Sequence, residues 1–109
     1  MRILFLPLLF LFFCSTSHGQ SELDSAEAVL KNLPEDTNKV ISLNILSRRY
    51  FDLPNYEKAI LIGKESLELA EKLDFKKEIA QALNNIAISY YALNEFEKAL
   101  EYHLKALDI

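Results

Sequence analysis

Two stretches of this chain carry nearly the same wording. Pro54–Leu67 reads PNYEKAILIGKESL and Asn94–Leu107 reads NEFEKALEYHLKAL, forty residues apart. With that shift the chain matches itself identically at Leu43/Leu83, Asn44/Asn84, Tyr50/Tyr90, Leu53/Leu93, Glu57/Glu97, Lys58/Lys98, Ala59/Ala99 and Leu67/Leu107. Leu46/Ile86, Phe51/Tyr91, Tyr56/Phe96 and Ile60/Leu100 match conservatively. A repeat of this length belongs to stacked supersecondary units, each of which buries its apolar face only against its neighbours.

Each unit divides into two helices. Leu43, Leu46, Ser47, Tyr50 and Leu53 fall on one helical stripe, and Leu83, Ile86, Ala87, Tyr90 and Leu93 repeat it. The second helices carry Tyr56, Ala59, Ile60, Gly63, Ser66, Leu67, Ala70 and Leu73, and then Phe96, Ala99, Leu100, His103, Ala106 and Leu107. Pro54-Asn55 and Leu93-Asn94-Glu95 separate the members of each pair. Proline suits the turn before a new helix, and asparagine tolerates the left-handed conformation and can cap the next helix. Glu68–Lys72 and Glu101–Lys105 stand at the i, i+4 spacing of surface ion pairs. Upstream, Glu22–Leu33 predicts a leading helix with Ser21 and Asp24 at capping-box spacing and a stripe of Ala26, Val29, Leu30 and Leu33. Pro34–Asn38 is its loop. The fold expected is all-α: one leading helix and two antiparallel pairs, stacked as an α-solenoid.

The first nineteen residues read differently. Met1-Arg2 is a short charged start, Ile3–Phe13 is an apolar run broken only by Pro7, and Cys14–Gln20 is small and mostly polar. This is the order of a secretory leader, with a cut expected after Gly19. The run is too short to span a membrane, which takes about 20 apolar residues. A lipoprotein reading through Cys14 meets Phe13 where a small residue is usual. The domain plan is therefore 1–19 leader, 20–39 leading helix and loop, 40–79 first repeat and 80–109 second repeat, the last cut short. The protein is expected to be exported, to the periplasm or beyond the cell.

Charge narrows the partners. Removing the leader takes Arg2 with it and leaves 11 basic residues against 16 acidic ones. An acidic chain is a poor match for nucleic acid or for an anionic membrane surface. The remainder has no cysteine, so no disulfide framework, and only Gly63, Pro34 and Pro54 as helix breakers.

Reaction chemistry finds little to stand on. One histidine and no cysteine cannot make a clustered zinc site, and His103 falls on a core-facing stripe, where a satisfied packing role is expected. Gly63 stands alone inside a helix, which suits a close helix contact and not a phosphate loop. The acids are spread over helix surfaces. The expectation is no catalysis, no cofactor and no metal.

The pairs resemble tetratricopeptide repeats. Leu83-x2-Ile86-Ala87-x2-Tyr90 followed by Ala99-x3-His103, and Leu43-x2-Leu46-Ser47-x2-Tyr50 followed by Ala59-x3-Gly63, fill that family's slots over Val40–Ile109. Leu stands for the family's Trp, Gly63 and His103 for its aromatic, and Glu71 for its closing proline. The resemblance implies a protein or peptide partner in a concave groove lined by the first helix of each pair. Carried over residue by residue, that groove holds Asn44, Ile45, Arg48 and Phe51, with Gln81, Asn84, Asn85, Ile88 and Tyr91 from the second unit; Ile41, Asp52 and Ala92 flank it. Asparagine amides can meet a peptide backbone, Arg48 a carboxylate, and Phe51, Ile88 and Tyr91 apolar anchors. The lysines of the family's carboxylate clamp are missing from this face. The long units also resemble exported repeat regions of bacterial sensor histidine kinases and regulators, which implies a bacterial protein and the sensory, N-terminal part of a larger signalling chain. The alternative is a free-standing adaptor that could dimerise through its uncapped last helix.

Overall fold

The structure, a computed structural model, describes residues 19–109. The expected leader lies outside the described residues, apart from Gly19, which is already helical. Five helices and no strand are present among the described residues: α1 (19–31), α2 (Thr37–Asp52), α3 (Tyr56–Lys72), α4 (Lys76–Ala92) and α5 (Phe96–Leu107). Each of α2 to α5 packs on the next, and α2 also touches α4.

One device ends α2, α3 and α4. The amide of Asn55 donates to Tyr50 O, that of Phe75 to Ala70 O and that of Glu95 to Tyr90 O, at 2.9, 2.9 and 3.0 Å. This six-to-one closure satisfies an otherwise orphaned carbonyl and stops the helix. Asp74 and Asn94 take the left-handed conformation there, at φ 53° and 63°. The helix caps Leu53, Leu73 and Leu93 recur every twenty residues, so the structural beat is half the forty-residue sequence repeat. Asn55 caps α3 by accepting from the Lys58 amide, and Asp36 caps α2 through the Lys39 amide. Asn94 ends a helix as expected but caps none: Glu95 takes the N-cap position of α5 with no side-chain capping bond.

The main core joins Leu23 of α1 to Val40, Leu43, Leu46 and Tyr50 of α2 and to Ala59, Ile62, Leu69 and Ala70 of α3. A second cluster of Ile60, Ile86, Tyr90 and Ala99 continues it towards α5, with Tyr90 stacked on Tyr102 at 5.6 Å. Small residues set the helix spacing. Ser47 Oγ donates to Ala59 O at 2.7 Å and Ser66 Oγ to Val40 O at 3.3 Å, both fully buried. Gly63 is the close contact expected: a β-carbon there would meet Ile86 Cγ1 at 2.8 Å.

Five expectations are corrected. The leading helix is already formed at residue 19, so Ser21 lies inside it and is no cap. Its inward residues are Leu23, Glu27 and half-buried Leu30, whereas Ala26, Val29 and Leu33 are exposed. The reason is polar anchorage. Tyr50 donates its hydroxyl to Asp24 Oδ1 at 2.6 Å, Glu27 pairs with Lys58 at 2.9 Å, and Asn55 donates to Gln20. On α5 only Ala99 is buried, and Phe96, Leu100 and Leu107 are exposed instead of facing their own pair. His103 is exposed too, because none of the described helices covers that face of α5. Finally, Lys72 pairs with Glu35 across the fold at 2.8 Å, while Glu101–Lys105 forms as expected.

Candidate functional site

The first helices of the two pairs, α2 and α4, lie side by side, and their contact separates the nine groove candidates into three groups. Asn44 and Asn85 are in the seam. They are 4% and 3% exposed. Asn44 Nδ2 donates to Glu78 Oε2 at 2.7 Å and to Glu78 O at 3.2 Å, and Asn85 Nδ2 donates to Asn44 O at 3.2 Å. Neither amide can reach a partner's backbone. Their expected binding role is replaced by a structural one, the polar latch between repeats. The cause is burial: an amide taken out of water between helices is held by the partners it finds there. Asn44 Oδ1 is left buried and without a partner.

The second group lies at the two free edges. Asn84 is the repeat equivalent of Asn44, yet it is exposed, because no helix follows α5 among the described residues to cover it. Ile45 is the equivalent of Asn85, yet it is 52% exposed, because no helix among the described residues packs over it as α2 packs over Asn85. Sequence identity at shifted positions therefore does not imply identical surroundings; the neighbouring helix decides.

The third group remains as a shared surface: Arg48 and Phe51 of α2 with Gln81, Ile88 and Tyr91 of α4. The Arg48 guanidinium sits 5.4 Å from the Phe51 ring centroid and 3.6 Å from Asp52 Oδ1. Phe51 tilts on Tyr56, and Tyr91, 63% exposed, meets Phe96 edge-on at 5.2 Å. Gln81 donates to Asn85 Oδ1 one turn on along α4. Ile88 is half-buried. The surface thus offers ordered aromatic and aliphatic contacts beside one guanidinium whose ion pair is exposed and readily exchanged.

Glu78 gives no signal in the sequence. It is 9% exposed and holds the far side of the latch; an acid in the first turn of a helix ordinarily reads as a dipole partner. No cluster of three metal-ligating side chains is present among the described residues, and no described helix is long and apolar enough to cross a membrane.

Antiparallel helix pairs joined by a polar seam, with the first helix of each pair open on one face, define an all-α helical-repeat protein. The chain belongs to the tetratricopeptide repeat family, whose model matches residues 50–109, more than half of its length. Comparison with the curated proteins and with the solved structures returned no match. Tetratricopeptide repeats are non-catalytic and mediate protein–protein interaction.

Proposed function

We propose that this chain is an exported interaction module that binds a protein or peptide over the shared face of α2 and α4, and that it catalyses no reaction of its own. The observation that carries the reading is the open surface around Phe51, Ile88 and Tyr91, with Arg48 at its edge, on the helices through which this family engages partners. Apolar anchors flanked by one exchangeable charge suit a peptide with an apolar side chain and a nearby carboxylate. The acidic balance favours protein over nucleic acid or membrane. The leader-like Met1–Gly19 supports export to the periplasm or outside, and the resemblance to bacterial sensor regions supports a sensory, N-terminal role in a larger signalling protein. Affinity capture with Arg48→Ala and with Ile88→Asp tests the site. Both variants are expected to lose the partners that the unaltered chain holds; retention of every partner by both would sink the assignment.

A second reading rests on α5. Phe96, Leu100, Leu104 and Leu107 are between 53% and 81% exposed along one helix. An apolar stripe of that kind supports a homodimer through α5, and with it a free-standing adaptor. Sedimentation of the unaltered chain against Leu104→Glu decides it: a dimer that the substitution dissolves supports this reading, and a monomer at high concentration rejects it.

A further inference from the structure

A cleft of about 370 Å³ opens between α1 and α2. Leu23, Ala26, Val29 and Leu30 line it from α1, and Ser42, Ile45, Leu46 and Arg49 from α2. The forty-residue repeat says what such a place is for. Forty residues on from the α1 set stand Gly63, Ser66, Leu69 and Ala70 of α3; forty on from the α2 set stand Ala82, Asn85, Ile86 and Ser89 of α4. All eight of those residues are buried. The helix inserted among them is α2 itself. Ser66 bonds to Val40 O, Asn85 to Asn44 O, Gly63 lies against Ser47, and Leu69 and Ala70 share a core with Leu43 and Tyr50.

We propose that the α1–α2 cleft is a vacant helix berth, filled by an amphipathic helix that a partner protein supplies. The berth stands in the register of the α3–α4 site, although all eight wall residues differ from their counterparts, and Ala26 and Val29 are exposed in it. Three of these eight differences specify the guest. Ile45 replaces Asn85, so the middle of the guest's stripe is apolar and no amide latch forms. Leu23 replaces Gly63, so a small residue must face it. Arg49 replaces Ser89 at the rim and makes no ion pair among the described residues, but Glu22 and Asp52 share its adjoining depression, so charge contributes little. The guest is recognised by shape and apolar burial, as helix-in-groove partners are. This site is separate from the α2–α4 face and stands whether or not that face binds anything.

The probe is a fluorescent peptide of Asp36–Leu53 carrying Asn44→Ala, titrated with the full chain and read by anisotropy. Saturable binding is expected, weakened at least tenfold by Val29→Asp and by Ala26→Arg, and unchanged by Tyr91→Ala. Both wall positions are exposed, so circular dichroism should show the fold intact in these variants. Absence of saturable binding, or binding indifferent to Val29→Asp, overturns the proposal. Self-association of the chain that Val29→Asp abolishes would assign the berth to a second copy and overturn it equally.

Discussion

Gly63 shows how one missing side chain sets the spacing of a repeat. Alanine is the better helix former by about 1 kcal/mol. Yet its β-carbon would press on Ile86, a fully buried branched side chain that cannot swing away, and overpacking costs about 1–3 kcal/mol. Gly63→Ala is therefore expected to destabilise the fold by about 1 kcal/mol in urea titration. Asn44 makes the same argument with polarity. Asn44→Asp would place a second carboxylate against Glu78, 2.7 Å from the present amide. The loss should be about 2–3 kcal/mol at neutral pH and smaller in acid, where one carboxyl is protonated. Equal losses at pH 4 and pH 7 would contradict the latch. The close contact at Gly63 was legible in the sequence, because a lone glycine on an apolar stripe has few other uses. The latch was not. An asparagine reads the same whether it lies in a seam or at a surface, and only the position of α4 tells Asn44 from Asn84.

At the scale of the element, α1 is held by polar bonds more than by its apolar stripe. Glu27 is nearly buried and paired with Lys58, so removing the lysine alone leaves a carboxylate with only the Tyr50 hydroxyl to hold its charge. Lys58→Met should cost about 2 kcal/mol, and adding Glu27→Leu should recover most of it. The Tyr50 phenol, buried and bonded to Asp24, is pushed well above its ordinary pKa of 10.0. The folded state then holds that proton more tightly than the unfolded chain does. Its stabilising contribution is whole below about pH 10 and is lost as pH rises further. Tyr50→Phe should be weaker at pH 7 by about 1 kcal/mol, and its stability should fall less steeply in alkali. These anchors also explain why period alone gives the wrong phase for α1. The period argument counts apolar residues, and here an acid faces inward while Val29 faces out.

At the scale of the whole molecule, stability should be graded along the stack. Middle helices have neighbours on both sides, whereas α5 buries only Ala99 fully. Amide hydrogen exchange should find α5 the least protected of the four later helices and α3 among the most protected. Uniform protection would argue against a stack of nearest neighbours. Most of the architecture was legible for the same reason. A repeat states its own helices twice, and both copies put their apolar residues in register. The ends were not legible, since burial there depends on what adjoins the chain. The α5 stripe and His103 were both placed by analogy with positions that have a neighbour.

The central claim is that partners meet the open face of α2 and α4. A photo-crosslinking amino acid placed at Ile88, and separately at Glu57 on an exposed part of α3, tests it in the living source cell. The account predicts discrete adducts from position 88 and none of matching yield from position 57. Adducts from 57 alone, or equal adducts from both, would contradict it.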